Sequence, residues 1–222
     1  MNSLVNKWNK LHQKSLLRTK YPSESVVRFM NSCFPADLKN RHNIKILDIG
    51  CGGGRHVKLF AENGFATYGV DFSSTGIKHT NKFLDEYDLT AKLENSTMID
   101  LPYENEYFDA VISFGVFYYT DSVGMKKSIG ELYRVLKMNG KAFINLRTIN
   151  DYRFGKGKEL EKNTFILDIK ETNEFNMTLH FLSEQDINEY FAGFKSINLE
   201  KNEFTKNNLK ILNSDWLITA GK

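Results

Sequence analysis

The chain has 222 residues and a formal net charge of +3 at pH 7, which suits one α/β domain whose core needs neither disulfides nor a metal. Its lysines are scattered rather than blocked, so composition gives no strong indication of a nucleic-acid or membrane partner. Two cysteines, Cys33 and Cys51, are too few for a disulfide framework or a zinc cluster. No apolar stretch reaches the length of a membrane span, and Met1 to Trp8 lacks the apolar core of a signal peptide. We therefore expect a soluble, cytoplasmic protein.

The N-terminal segment is predicted to be helical. Apolar residues recur at roughly helical spacing through residues 4–18. A second helix is expected from Ser23, a favourable N-cap, to Pro35. Within a single domain of residues 1–222, we expect residues 1–35 to form an N-terminal helical cap.

A glycine-rich turn follows the first predicted strand, residues 44–49. The order I-L-D-I-G-C-G-G-G-R-H indicates a strand, a tight turn and a helix N-terminus. Glycines let the backbone turn sharply and approach a ligand, which the free N–H groups at the head of the helix would face. A dinucleotide fingerprint needs glycine at the sixth position counted from Gly50, where this chain has Arg55. The pattern that remains is D-x-G-x-G-x-G, beginning at Asp48.

Strands and helices then alternate as far as residue 147. Strands are predicted at residues 66–70, 91–95, 108–114 and 141–146, and helices at residues 73–87 and 125–136. This alternation predicts an α/β fold with a doubly wound, Rossmann-like sheet. Two final strands, residues 194–199 and 215–220, are expected to close the sheet as an antiparallel pair. The sheet would then have seven strands, mostly parallel, with an antiparallel closing strand.

Residues 148–182 interrupt this pattern. They are rich in Lys, Asn and Gly at first, and short strands are predicted at 165–169 and 177–181. A surface loop is one interpretation; an inserted lid or substrate wall is the other, and it is favoured because insertions of this length are uncommon without a role. A helix is expected after the segment, with Ser183 and Asp186 forming a capping box.

Two aspartates follow predicted strands. Asp71 ends the second strand, 21 residues after Gly50, where a carboxylate can accept hydrogen bonds from ribose hydroxyls. Its alternative role is to cap the next helix. Asp100 follows the third strand in the context M-I-D-L-P, where a plain turn aspartate is the alternative to a ligand contact.

These motifs together closely resemble those of class I S-adenosylmethionine (SAM) methyltransferases. Four occur in the same order, I-L-D-I-G-C-G-G-G, Y-G-V-D-F, M-I-D-L-P and F-D-A-V-I-S-F-G-V-F-Y-Y, and a fifth, L-Y-R-V-L-K-M-N-G-K-A-F-I, closes the cofactor half. They cover residues 44–147. The later H-F-L-S-E-Q-D-I segment is similar to a helix start found in many small-molecule methyltransferases.

The resemblance implies a set of cofactor contacts. Asp48, Gly50, Gly52 and Gly54 would hold the methionine moiety, Asp71 and Phe72 the ribose, Met98, Ile99, Asp100 and Leu101 the adenine, and Phe114 and Gly115 the sulfonium side. Arg55 is placed to pair with the cofactor carboxylate, or is a solvated residue of the first helical turn. Tyr21 would cap the cofactor, or is a packing residue.

Candidate acceptor-site residues are less well defined. Phe117, Tyr118 and Tyr119 follow the fourth strand and would line the transfer site, with core packing as the alternative. His180 is the candidate general base, with a structural histidine as the alternative. Arg147, Tyr152 and Arg153 would contact an anionic substrate or are solvated surface residues. The remaining histidines show no metal-ligand spacing.

We therefore predict a SAM-dependent methyltransferase that transfers a methyl group to an oxygen, nitrogen or sulfur atom of a small molecule and releases S-adenosyl-L-homocysteine (SAH). One alternative is a methyltransferase of tRNA or another nucleic acid, although the chain has no N/D-P-P-Y/F motif, no cysteine after the fourth strand and no basic tail. The other is a non-catalytic SAM-binding protein. The sequence leaves a monomer and a homodimer equally open.

Overall fold

A seven-stranded sheet organises the computed structural model, which describes residues 2–14, 18–34 and 38–222. The strands in chain order are β1 Lys45–Ile49, β2 Ala66–Val70, β3 Lys92–Glu94, β4 Phe108–Ser113, β5 Leu136–Arg147, β6 Gly157–Glu161, β7 Thr164–Leu167, β8 Thr178–His180, β9 Ser196–Lys206 and β10 Ile211–Gly221. The large sheet has the order β3-β2-β1-β4-β5-β10-β9, and β6, β7 and β8 form a separate antiparallel sheet.

The pairing within the large sheet confirms the predicted fold class. Strands β3, β2, β1, β4 and β5 pair in parallel, whereas β10 runs antiparallel to both β5 and β9. The chain leaves β1 towards β2 on one side and returns to β4 on its other side. This reversal of strand order opens a crevice at the carboxyl ends of the strands, where ligands bind in open α/β sheets.

Six α-helices lie on the two faces of the sheet or next to it within the described residues. They are α1 Asn2–Gln13, α2 Glu24–Cys33, α3 Arg55–Glu62, α4 Ser74–Asp85, α5 Ser122–Val135 and α6 Glu184–Tyr190, and a 3-10 helix spans Leu38–Asn43. Ser73 caps α4 by accepting a hydrogen bond from Gly76 N over 3.1 Å. The capping box predicted at Ser183 and Asp186 is present at the start of α6.

Alternate residues of the central strands supply the two hydrophobic layers. Ile46 and Ile112 pack on one face with Phe60 of α3 and with α2, whose Phe29 ring stacks on Phe143 at 5.2 Å. Leu47, Ile49, Val111 and Ile144 face the other side, where they meet α5, α6 and the inserted segment. The period-two alternation thus buries both faces of the sheet and leaves the strand ends free for a site.

Several boundaries differ from those predicted. Residues 157–161 form β6 inside a segment that has no apolar periodicity, and its side chains are exposed. The β9–β10 hairpin is several residues longer at its turn than predicted. The first helix ends at Gln13 and the second at Cys33, whereas residues 15–17 and Pro35, both included in the predicted helices, lie outside the described residues. No helix in the described part of the chain combines the length and apolar character needed to cross a membrane.

Candidate active site

A cavity of about 370 Å³ lies at the carboxyl ends of β1, β2 and β4. Its floor comes from the glycine turn after β1, and its sides from the ends of β2 and β4. Predicted site residues that line it are Gly50, Gly52, Arg55, Asp71, Phe72, Met98, Ile99, Phe114, Gly115 and Tyr119. Lining residues that the sequence did not indicate include Val5, Trp8, His12, Arg18, Thr19, Ser96, Thr97, Val116 and Thr120.

The glycine turn has a backbone that other residues would strain. Gly50 has φ +75° and Gly52 has φ +54°, in the left-handed region that favours glycine. A Cβ on Gly50 would lie 2.3 Å from Cγ2 of Val116, so the two chain segments approach closely. Gly54 does not line the cavity, because it packs against Thr80 of α4 behind the turn.

Asp71 connects the glycine turn to the second strand. Its Oδ2 accepts a hydrogen bond from Gly52 N over 2.8 Å, and its Oδ1 accepts one from Ser73 N over 2.7 Å. Burial raises the pKa of this carboxyl group, while the hydrogen bond from Ser73 N opposes the shift. The carboxylate is therefore held rigidly at the cavity wall and keeps spare lone pairs for a ligand.

Asp48 lies at the end of β1 and outside the cavity lining. It is only 2% exposed, and its Oδ2 has no hydrogen-bond partner among the described residues. Burial raises its pKa to about 7, while nearby Arg55 opposes the shift. His56 Nδ1 lies 3.9 Å from Asp48 Oδ2, and His56 Nε2 accepts a hydrogen bond from Ser23 N over 3.2 Å. Because burial lowers the pKa of His56 to about 3, this imidazole is neutral and does not compensate the carboxylate.

The N-terminal helix α1 forms one wall of the cavity. Val5, Trp8 and His12 line it at helical spacing, so they share one face of α1. The Trp8 ring meets Tyr119 edge to face at 5.1 Å. Asn9 Oδ1 accepts hydrogen bonds from Ser73 Oγ over 2.6 Å and from Thr75 N over 3.4 Å, and these contacts fix α1 on the start of α4. The sequence predicted that α1 has an apolar face. It did not predict that this face borders a cavity instead of packing into the core.

The segment after β3 contributes only part of its predicted set. Met98 and Ile99 line the cavity together with Ser96 and Thr97. Asp100 is exposed and Leu101 is buried in the core, and neither side chain contributes to the lining. The predicted adenine wall is thus made by apolar side chains and by the residues before Met98.

The aromatic residues after β4 divide between the cavity and the core. Tyr119 lines the cavity and donates its hydroxyl hydrogen bond to Glu174 Oε1 over 2.8 Å. Phe117 and Tyr118 are buried in the core instead, as the packing interpretation expects. Arg147 lies over the Tyr118 ring at 4.9 Å.

Arg147 and its neighbours form a buried charge cluster. Arg147 Nη1 donates to Asp215 Oδ1 over 2.9 Å, and Arg153 Nη1 donates to Asp151 Oδ1 over 2.8 Å. Tyr152 lies beneath the Arg153 guanidinium, which is 4.3 Å from the centre of its ring. None of these side chains lines the cavity, so the structure does not bring the predicted anion-binding residues to the site.

His180 lies away from the cavity, on β8. Its Nδ1 lies 2.7 Å from Thr164 Oγ1, and its Nε2 lies 3.2 Å from the Tyr190 hydroxyl. The side chain is buried, and burial lowers its pKa. Both ring nitrogens thus lie within hydrogen-bonding distance of neighbouring hydroxyl groups. This placement does not match the role of general base next to a methyl acceptor that the sequence suggested.

Tyr21 also lies outside the cavity. It is 85% exposed and borders a separate hollow together with Lys20 and Tyr87. Arg55 reaches both spaces, and its guanidinium lies 5.6 Å from the centre of the Phe114 ring. Of Tyr21, expected to cap the cofactor, and Arg55, expected to pair with its carboxylate, only Arg55 lines the cavity.

The strand order and the glycine turn after β1 are features of a doubly wound, Rossmann-like fold, and Asp71 at the end of β2 is bonded to that turn. Residues 47–144 match the family model described as a methyltransferase domain. The matched residues run from β1 into β5 and make up less than half of the chain. A SAM-dependent methyltransferase from Methanosarcina mazei has a similar structure, with a TM-score of 0.71 and 19% sequence identity over 87% of this chain and 96% of that one.

Two curated relatives are enzymes named ubiquinone biosynthesis O-methyltransferase. The one from Bartonella quintana (strain Toulouse) is 30% identical over 139 residues, which are 63% of this chain and 55% of that protein. The one from Bartonella tribocorum (strain CIP 105476 / IBS 506) is 30% identical over 138 residues, which are 62% of this chain and 55% of that protein. The chain thus spans about half the length of these relatives.

The residues at the cavity suit SAM, the cofactor that the resemblance to methyltransferases implies. Hydroxyl groups suit the remaining lone pairs of Asp71, whereas Asp48, whose buried Oδ2 has no hydrogen-bond partner among the described residues, lies outside the lining and makes no direct contact with the space. The glycine turn leaves backbone exposed where side chains would otherwise fill the space. Aromatic rings of Trp8, Phe114 and Tyr119 provide faces and edges suited to a sulfonium cation.

Proposed function

We propose that the chain binds SAM in this cavity and transfers its methyl group to an oxygen, nitrogen or sulfur atom of a small molecule. The observation that carries the proposal is the continuity of the cavity. A single space is bordered by the glycine turn and Asp71 and also by Gly115 and Tyr119. A cofactor and an acceptor can therefore meet in it.

The protein's part in such a reaction is mainly binding and orientation. SAM supplies an already activated methyl group on a sulfonium. Asp71 would accept hydrogen bonds from the ribose, and the turn between Gly50 and Gly52 would let the backbone contact the cofactor closely. Trp8 and Tyr119 exclude water from the space in which the acceptor must approach in line.

The structure offers no support for a dedicated base at His180, since both of its nitrogens are engaged elsewhere. A base is needed only when the acceptor is an alcohol or a protonated amine. Because no base is assigned, the site suits best an acceptor that ionises near neutral pH, such as an acidic phenol or a thiol. The names of the two curated relatives favour oxygen as the acceptor atom.

Calorimetry with SAM and SAH tests the first half of the proposal. We expect binding of both, and an absence of heat at millimolar cofactor would refute it. A screen of phenols, amines and thiols for SAH release tests the second half. Release of SAH with a small molecule supports the proposal. Release only with tRNA favours a nucleic-acid methyltransferase, and a failure of every acceptor to cause release favours a non-catalytic SAM-binding protein.

A further inference from the structure

The side chain of His12 lines the cavity and has no part in the proposed function. Its imidazole lines the cavity from α1, and Cε1 lies 3.1 Å from the position that a Cβ on Gly52 would occupy. No described residue makes a hydrogen bond to the ring, whereas its backbone oxygen accepts one from Arg18 Nη1 over 2.7 Å. Both ring nitrogens are therefore without a hydrogen-bond partner among the described residues.

His12 and Asp71 approach the same residue of the glycine turn. Gly52 N donates to Asp71 Oδ2, and the His12 ring lies beside the Gly52 Cα. Burial lowers the pKa of His12, the Asp71 charge opposes that shift, and the Arg18 charge adds to it. A neutral imidazole results, with one nitrogen as a donor and the other as an acceptor.

The chemistry of a vicinal diol matches this pair of groups. Both Asp71 oxygens already accept a backbone hydrogen bond, so the carboxylate can take hydroxyl protons only with its remaining lone pairs. The hydroxyl oxygens of a diol also need a donor, and a carboxylate has none. The N–H of a neutral imidazole supplies it.

We propose that His12 is a cofactor-positioning residue that binds the ribose diol of SAM together with Asp71. This inference rests on the proposed function, because it requires that an adenosyl cofactor occupy the cavity. Helix α1 would then contact the cofactor through His12 and border the acceptor space through Trp8, whose ring centre lies 5.8 Å from that of His12.

A purely structural role for His12 is the competing explanation. His12 packs beside Trp8, so its loss could disturb α1 without any contact to a ligand. Asn9 provides a separate anchor for α1 through Ser73 and Thr75. The variant His12→Phe keeps an aromatic ring beside Trp8 but removes both nitrogens, and His12→Gln keeps a donor and an acceptor.

The test compares SAH with its 2′-deoxy and 3′-deoxy forms by calorimetry. We expect His12→Phe and His12→Ala to weaken SAH binding by about tenfold, and His12→Gln to weaken it by less than about threefold. For at least one deoxy form, the wild type and His12→Phe should bind within about twofold of each other, since the contact is then missing in both proteins.

Two results would overturn the inference. One is SAH affinity in His12→Phe equal to that of the wild type. The other is an equal loss of affinity for all three ligands, which is the result expected of a structural role. Asn9→Ala is the control for displacement of α1, and it should lose the same amount of affinity for SAH and for both of its deoxy forms. Failure of the wild-type protein to bind SAH would refute the proposed function itself and is distinguishable from both results.

Discussion

Gly52 N donates a hydrogen bond to Asp71 Oδ2 over 2.8 Å, which joins the turn after β1 to the end of β2. The second oxygen of the same carboxylate accepts from Ser73 N, at the start of α4. One side chain thus fixes the position of three elements that border the cavity. Its removal should affect both the shape of the empty site and the binding of a ligand in it.

Replacing Asp71 with Ala should weaken SAH binding by more than one lost hydrogen bond to the ligand would, because the substitution also removes the contacts with Gly52 N and Ser73 N. Each lost hydrogen bond to a charged group contributes about 1.5–3 kcal/mol, so we expect at least a tenfold rise in Kd by calorimetry. Asp71→Asn keeps an acceptor for Gly52 N and should lie between Ala and the wild type.

Asp100→Ala is the matched control for this substitution. Asp100 is also an aspartate after a strand, but it is exposed and does not line the cavity. We expect its SAH affinity to stay within about twofold of the wild type, because no ligand contact is lost. A large loss in Asp100→Ala would instead support the adenine contact that the sequence resemblance implied.

Gly50→Ala should distort the glycine turn. A left-handed conformation costs a residue with a Cβ about 1–2 kcal/mol, and the new Cβ would lie 2.3 Å from the Val116 side chain. We expect a lower Tm. We also expect the free energy of SAH binding to fall by more than the free energy of unfolding. Gly193→Ala is a suitable control, because a Cβ there meets nothing within 4 Å. Equal behaviour of the two variants would contradict the close approach between the turn and Val116.

The parts of this structure that the sequence predicted are those set by local chemistry. The glycine turn, the capping box at Ser183 and Asp186 and the alternating strands all depend on residues that are neighbours in the chain. Asp71 was predicted because its distance from Gly50 along the chain fixes its place at the end of the adjacent strand. The parallel order of the sheet followed from the alternation of strands and helices.

The parts that were not predicted depend on contacts between distant segments. Whether Tyr118 or Tyr119 faces the cavity is decided by how Arg147 packs over the former and Glu174 accepts a hydrogen bond from the latter. The place of Trp8 and His12 at the cavity depends on the docking of α1 on α4. His180 looked available because Thr164 and Tyr190 are remote in the sequence.

His180→Ala should lower stability and leave cofactor binding unchanged. The substitution removes one partner of the Thr164 hydroxyl, which also donates to Glu161 Oε1 over 3.2 Å, and one of the Tyr190 hydroxyl, which also donates to Ser122 O over 3.4 Å. Each lost hydrogen bond should cost about 0.5–1.5 kcal/mol. Urea unfolding measures the loss, and Tyr190→Phe, which removes only one of the two contacts, should show a smaller one. Wild-type stability together with loss of methyl transfer in His180→Ala would restore the general-base assignment.

Asp48 and His56 should give stability two opposing dependences on pH. Burial raises the pKa of Asp48 from 3.8 to about 7, so between these values the folded state binds more protons than the unfolded state, and stability falls as pH rises. Burial lowers the pKa of His56 from 6.5 to about 3. In that window the folded state binds fewer protons, and stability rises with pH.

Single substitutions should separate the two effects. Between pH 4.5 and 6, one proton changes the slope of the unfolding free energy by about 1.4 kcal/mol per pH unit. Relative to the wild type, Asp48→Asn should make that slope more positive and His56→Gln should make it more negative, each by up to this amount. Urea unfolding at four pH values across the range measures the slopes, and Asp100→Asn, at an exposed position, should match the wild type. If Asp48→Asn also matched the wild type, the carboxyl group would have to ionise in the folded protein as readily as in the unfolded chain, which would contradict the effect of burial on Asp48.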